Sequence, residues 1–186
     1  MIFEFHKNYP GINFHIVDED TQKIVELLNS GIIDVGIVRP PINKEIFDYI
    51  PLLDDHMIAV STETYLDNNQ KQISLMDLRD KPLIVQRRYE KRIVNLCNEA
   101  GFEPRIICIS NDSRTILLWA SLKIGIAILP SVCRSLITNG NLSYKDIDEP
   151  SLKIGSAVIW LKKRYLSSAS KYFLEIVRSY LEKEKD

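Results

Sequence analysis

Between Ile12 and Ile16 the chain alternates apolar and polar side chains, with Ile12, Phe14 and Ile16 set against Asn13 and His15. A period of two predicts a strand with one face better buried than the other. The period then lengthens. Ile24, Leu27 and Leu28 share one face of a helix, with Asp20 placed to cap its start and Gly31 to supply a left-handed stop. Asp34 to Val38 is a short apolar run closed by Pro40-Pro41, the pattern of a strand buried on both faces. These three segments predict a βαβ unit.

The same succession continues down the chain. Met57 to Ser61 and Pro82 to Gln86 read as strands, and the second leads into a helix that turns Ile93, Leu96, Cys97 and Ala100 inward before Gly101 ends it. Arg105 to Ser110 is the next strand, Ser113 to Leu122 a helix, and Ile126 to Leu129 a buried strand stopped by Pro130. After a strand over Ser156 to Leu161, the residues Phe173, Ile176, Val177, Tyr180 and Leu181 follow helical spacing. Asp67 to Lys71 and Thr138 to Ser143 are expected polar loops, and the charged tail is expected to fray. Parallel strands need crossover connections, usually helical, so this alternation predicts an α/β fold with mostly parallel sheets. The pattern leaves one lobe or two open.

Composition narrows the function classes. The 186 residues are 45% hydrophobic, enough for a buried core. The longest apolar runs, such as Ile124 to Pro130, are too short to cross a bilayer, and no basic segment precedes an apolar stretch at the N-terminus. A cytoplasmic location with no membrane partner is the expectation. Cys97, Cys108 and Cys133 form no CxxC pair and are expected as small core residues in a reducing compartment. The net charge of -1 carries no electrostatic footprint for DNA.

Several segments together resemble the effector-binding domain of LysR-type transcription regulators, over nearly the whole chain. Tyr9-Pro10-Gly11-Ile12 resembles that family's entry to its second strand, and Leu27 to Val38 its Leu-x-x-Gly-x-Leu-Asp stretch. Ile73-Ser74-Leu75 with Leu78, Pro82-Leu83-Ile84, Gly101-Phe102-Glu103-Pro104 and Gly125-Ile126-Ala127-Ile128-Leu129-Pro130 follow in the family's order. The resemblance implies two Rossmann-like α/β lobes around a central cleft, the type 2 periplasmic-binding-protein architecture. One lobe would comprise residues 1–53 with 150–186 and the other residues 54–149. It also implies a homodimer, a small-molecule effector, no cofactor, and DNA contact only through a winged helix-turn-helix domain that is absent here.

There are three departures. The family has a strand before its Tyr-Pro helix, then a loop rich in Ser or Thr that often holds the effector, whereas this chain begins inside that helix. One wall of the cleft is therefore expected to be absent. Asp18-Glu19 replaces a Glu-Gly pair, adding negative charge, and Lys123 replaces the first glycine of a Gly-x-Gly. If Lys123 points inward, it recovers a preference for anions.

In open α/β folds ligands sit beyond the carboxyl ends of strands, where helix N-termini offer unpaired N–H groups. Three strand-to-helix turns qualify: Asp20-Thr21, Gln86-Arg87-Arg88-Tyr89 and Asn111-Asp112-Ser113. Thr21 aligns with a Ser or Thr that the family places at its cleft, and otherwise simply begins a helix with Asp20. Arg87 and Arg88 can grip a carboxylate in a bidentate fork, or with Lys91 and Arg92 form a solvated basic face. Asn111 and Ser113 stand where the family often contacts its effector, or cap the following helix. Backbone around Gly125 and Ile126 is expected to approach the ligand closely. Arg39 either faces the cleft or pairs with a carboxylate such as Asp54.

Signatures of catalysis are missing. His6, His15 and His56 are widely spaced, and no HExxH, GxSxG, Walker or GxGxxG motif occurs. Trp119 and Trp160 lie on apolar faces and are expected in the core. The reading is a non-enzymatic sensor of a small polar metabolite, with no metal site, that modulates a DNA-bound oligomer. The alternative is a solute-binding protein of a transport system with the same fold.

Overall fold

A computed structural model describes residues 2–66, 70–138 and 140–183. Met1, Asp67 to Asn69 and Asn139 within the two expected loops, and Glu184 to Asp186 in the charged tail lie outside the described residues. The chain begins with α1 (Ile2–Asn8) and α2 (Thr21–Ser30), followed by β1 (Gly36–Val38), β2 (Phe47–Pro51), β3 (Met57–Ser61) and β4 (Gln72–Ile73). Next come β5 (Leu83–Gln86), α3 (Arg87–Glu99), β6 (Ile106–Ser110), α4 (Ser113–Ser121) and β7 (Ile126–Pro130). β8 (Ser143–Ile147), β9 (Ala157–Leu161) and α5 (Ser168–Lys183) complete the order. The elements form two compact units, Met1–Asp54 with Gly155–Asp186, and Asp55–Ile154.

The first unit is built on a three-stranded antiparallel sheet in the order β1-β9-β2. β9 is central, so its side chains are buried on both faces. Ala157 and Ile159 pack with Ile24 and Leu28 of α2, while Val158 and Trp160 pack with Leu174 and Val177 of α5. The close approach of α2 explains Gly36, where a Cβ would lie 2.5 Å from Ile24 Cγ2. Asp20 caps α2 by accepting from the Lys23 N–H at 2.9 Å, and Gly31 ends it at φ 78°. α1 rests on α5 through an aromatic cluster centred on Phe5, which is 1% exposed. Its ring meets those of Tyr9, Phe14 and Phe173 at centroid distances of 5.1, 5.3 and 5.7 Å, and Tyr9 stacks on Tyr172 at 5.0 Å.

The second unit is built on a six-stranded mixed sheet in the order β4-β8-β3-β7-β5-β6. Strand alternation divides its core in two. Met57, Ala59, Leu83, Val85, Ile126 and Ile128 face α3, whose Tyr89, Ile93 and Cys97 cover them. Ile58, Val60, Ile84, Ala127 and Leu129 point to the opposite side, where α4 contributes Ile116, Leu117 and Ala120. Burial of the two thiols raises their pKa, to about 11 for Cys97.

The structure corrects several expectations. Ile12 to Val17 is not a strand, because a strand needs a neighbour to take its backbone groups and no described residue supplies one. β1 is buried on one face only: it is an edge strand, and Ile37 is 57% exposed. The sheets are not mostly parallel, since β3 and β9 pair antiparallel with both their neighbours. β2, β4 and β8 carry no clear apolar alternation and become strands by pairing with β9, β8 and β3. In β8 the buried Lys145 ammonium donates to the Gln70 carbonyl. Trp119 is 37% exposed on the outer side of α4, whereas Trp160 is in the core. Among the described residues, no helix is long and apolar enough to cross a membrane.

Candidate functional site

Within the second unit β7, β5 and β6 run parallel, so their carboxyl ends collect along one edge of the sheet. Three turns meet there: Gln86-Arg87, Ser110-Asn111-Asp112 and Pro130-Ser131. Gln86 is 5% exposed and ties two of them together. Its Nε2 donates to the Asn111 carbonyl at 3.0 Å and to Ser113 Oγ at 3.3 Å. Committed to those partners, its side chain makes no cap hydrogen bond to α3. The first-turn N–H groups of α3 therefore lack a side-chain cap.

Electrostatics sharpen the picture. Arg87 and Arg88 are exposed and occupy the first two positions of α3, followed by Lys91 and Arg92, with Glu90 the only acidic residue of the first turn. A helix N-terminus carries roughly half a positive charge, so cations there are unfavourable by about 0.3–1 kcal/mol each until an anion joins them. Arg92 is committed to the Ser151 carbonyl. Arg87 and Arg88 have no ion-pair partner among the described residues. An anion at this edge would meet two guanidinium groups and uncapped N–H groups together.

The neighbouring turn divides its roles. Asp112, not Asn111 or Ser113, caps α4, accepting from the Arg114 and Thr115 N–H groups at 3.1 Å each and from Thr115 Oγ1 at 2.8 Å. These hydrogen bonds, the Thr115 hydroxyl foremost, hold its carboxyl below the ordinary carboxylate range. A depressed carboxylate stabilises the fold above its unfolded pKa and loses that contribution as the pH falls through its folded one. Asp112→Ala is accordingly expected to cost about 1 kcal/mol at neutral pH. Its deficit against the parent chain, measured by urea titration, should shrink as the pH drops below about 4. A constant deficit would show that the charge plays no part.

With capping assigned elsewhere, the Asn111 amide is exposed and makes no hydrogen bond to a described residue. Ser113 Oγ is half-buried and also accepts from the Cys133 thiol at 3.7 Å. Burial is the main cause that pushes this thiol up; Arg88 lies within electrostatic reach and acts the other way, as does the Ser113 hydrogen bond. Ser131 donates to the Asp55 carboxylate, which also accepts from the Val132 N–H at 3.3 Å. The sequence reading missed Gln86 as the link and the Pro130-Ser131 turn as a third wall. The rule that selected the other turns applies there too, because a buried strand ends at Pro130.

The remaining candidates fall elsewhere. Gly125 and Ile126 begin β7 at the opposite edge of the sheet, beside the start of β5. The Ile126 N–H donates to the Pro82 carbonyl at 2.8 Å, and a Cβ on Gly125 would lie 2.6 Å from that oxygen. At roughly 3.3 Å per residue, β5 holds the two edges about 10 Å apart. Gly125 is thus explained by strand packing, and the structure does not bring it or Ile126 to Arg87 and Asn111. Lys123 lies on that far edge too, exposed, at φ 62°. In the first unit, Thr21 opens α2 and its Oγ1 accepts from the Arg39 N–H at 3.4 Å. The two half-buried residues thus stand together, with Asp20 spent on the helix cap and the Pro40-Pro41 peptide bond, cis, just beyond Arg39. No group of three or more His, Cys, Asp or Glu residues fit to hold a metal occurs among the described residues.

Comparison with known proteins places this architecture. The family described as LysR substrate binding domain matches residues 1–182. The chain is 31% identical over 182 residues to the uncharacterized HTH-type transcriptional regulator YwbI of Bacillus subtilis, covering 96% of this chain and 60% of that protein. It likewise spans only 59% and 62% of the regulators AlsR and BsdA from the same organism. Among solved structures, the BenM effector binding domain with its effector benzoate superposes with a TM-score of 0.81 at 20% identity, covering 99% of this chain and 85% of that one. The Synechocystis PCC6803 CcmR regulatory domain in complex with 2-PG gives 0.79 at 22% identity, with 97% and 88% covered. At such identities the likeness establishes a shared fold, the two-sheet α/β architecture of LysR effector-binding domains. With its family match running from the first residue to the last helix, the chain belongs to the LysR substrate-binding domain family, a regulatory and non-enzymatic one.

Proposed function

We propose that the chain senses a small polar metabolite bearing a carboxylate and so modulates a DNA-bound regulator. The observation that carries this reading is the pairing of Arg87 and Arg88 with the uncapped start of α3. Asn111 offers a free amide beside them, and Ser113 supports the turn. In the first unit Thr21 and Arg39, which stand together, are the candidate ligand contacts. Benzoate, the effector of the BenM domain, is a carboxylate of this kind, and the CcmR regulatory domain forms a complex with 2-PG. The mechanism is a population shift without covalent chemistry: the effector favours one arrangement of the lobes, and that arrangement biases the oligomer. DNA contact belongs to a domain outside this chain, and the regulator works in the cytoplasm.

The test is a thermal-shift screen of the whole chain against benzoate and other small carboxylates. A ligand at a hundred times its Kd stabilises by about 2.7 kcal/mol, a rise of roughly 5–11 °C for a chain of this size. If no carboxylate raises the melting temperature, the reading fails.

The chain also acts as a homodimer in this proposal. Asn13 to Val17 lies outside any sheet and exposes Phe14 and Ile16, while β6 is a sheet edge flanked by the exposed Leu118, Trp119 and Leu122. An unpaired segment in one protomer and a free edge in its partner satisfy each other's backbone groups. Sedimentation equilibrium should give twice the chain mass. A monomer at concentrations of about 100 μM, where even weak specific pairs associate, would refute the dimer.

A further inference from the structure

One buried acceptor at the α3 edge serves nothing in the fold. Gln86 ends β5, stands at the N-cap of α3 and is 5% exposed. Its amide cannot be turned over. Nε2 lies 3.0 Å from the Asn111 carbonyl, which only accepts, so the nitrogen and not the oxygen must face it. The second amide proton goes to Ser113 Oγ at 3.3 Å, and both donors are then spent.

The carbonyl oxygen Oε1 is not. Among the described residues it accepts no hydrogen bond, and it does not reach forward to cap α3, although an N-cap side chain is placed to do so. Nor is it sealed off from the surface, since it is not one of the fully buried atoms left without a partner. An acceptor on so buried a side chain is normally paired with protein, water or ligand. Gln86 thus keeps an open acceptor at the edge where the α3 N–H groups and the Arg87 and Arg88 guanidinium groups offer donors. Ser113 adds another donor: its Oγ accepts from Gln86 and from the Cys133 thiol at 3.7 Å, so its own proton is left to give.

These groups ask two things of one ligand. The donors call for an anion, and the Gln86 oxygen calls for a hydrogen-bond donor close beside it. That donor has to be uncharged. An ammonium would stand against two guanidinium groups and the positive end of α3. The carboxylates of this edge offer it no relief, since Asp112 is spent on the cap of α4 and Asp55 on Ser131 and the Val132 N–H. A hydroxyl meets no such repulsion.

We propose that the effector is a 2-hydroxycarboxylate. Its carboxylate lies on Arg87, Arg88 and the start of α3, and its hydroxyl donates to Gln86 Oε1. This rests on the carboxylate-sensing reading and names the class within it. Gln86 acts as the specificity residue: a carboxylate without the hydroxyl displaces water from Oε1 and leaves that oxygen unpaired.

The experiment is chemical-shift mapping of the whole chain, backbone and side-chain amides together, with glycolate, acetate and glycine. These three differ only in carrying a hydroxyl, a hydrogen or an ammonium beside the carboxylate, and benzoate is run alongside them. Glycolate should perturb Arg87, Arg88, Asn111 and the Gln86 side-chain amide, with a Kd about tenfold or more below those of acetate and glycine. In Gln86→Met, which keeps the side-chain length and removes the oxygen, glycolate and acetate should bind alike. A general loss of shape weakens both ligands together and leaves their ratio unmoved. The parent comparison stands by itself if that variant does not fold. The proposal is overturned if acetate or glycine binds the parent as tightly as glycolate, or if Gln86→Met keeps the tenfold preference. If benzoate alone shifts this edge, the carboxylate reading survives and the hydroxycarboxylate class is overturned. If none of the four ligands shifts it, both are overturned.

Discussion

Phe5→Ala is expected to destabilise the first unit by about 3–5 kcal/mol, the range for deleting a fully buried aromatic ring. Phe5 is the hub through which α1 reaches α5. Its ring is 1% exposed and touches Tyr9, Phe14 and Phe173 at centroid distances of 5.1–5.7 Å. The transfer term and the cavity term act in the same direction, and neither Tyr9, stacked on Tyr172, nor Phe173, fixed in α5, is free to collapse into the void. Domains have only about 5–15 kcal/mol of net stability, so the loss is a large share of the total. The two tryptophans make it measurable, since Trp160 lies in the first unit and Trp119 in the second. In a Trp119→Phe background, the urea midpoint of Trp160 fluorescence should fall by roughly 1.5–2.5 M, taking a slope of about 2 kcal/mol per molar. A fall under about 0.5 M on the same slope would mean that α1 is an ornament on α5 rather than part of its core.

Replacing Arg87 and Arg88 together by alanine should have the opposite signature. Two cations at the positive end of α3 repel its dipole, so without ligand the double variant should be as stable as the parent or more so, by up to about 1–2 kcal/mol. With a carboxylate effector the order reverses. Losing two charge-assisted contacts should weaken binding by about 100-fold or more and abolish the thermal shift. A residue that served only packing would lower the ligand-free melting temperature, which separates the two roles. If the double variant binds the effector as tightly as the parent, the carboxylate does not rest on α3.

Much of the local structure was legible before any tertiary contact was known. Asp20 and Gly31 bound α2 as caps and stops do, because a side-chain acceptor and a left-handed residue are local requirements. Of the stripe Ile93, Leu96, Cys97 and Ala100, the first three face the core, whereas Ala100 at the end of α3 is exposed and Tyr89, read as part of a turn, is buried instead. The turns bearing Arg87 and Asn111 do meet, since the carboxyl ends of parallel strands share an edge. Strand packing accounts for Gly125 without a ligand, and a glycine required by an approaching backbone looks the same in sequence as one required by a ligand. Lys123 showed only as a departure from a family pattern, and its left-handed turn needed coordinates to be seen.

By itself, then, the amino-acid sequence determined the α/β class, the cap and stop of α2, much of the helix faces and the family, all of which depend on residues near one another in the chain. Tertiary structure alone decided which strands pair and in which direction. It left Ile12 to Val17 unpaired despite its clean alternation and made a strand of the polar Ser143 to Ile147. Alternation specifies which face is buried, whereas a strand exists only when a neighbour takes up its N–H and C=O groups, and that neighbour comes from a distant part of the chain.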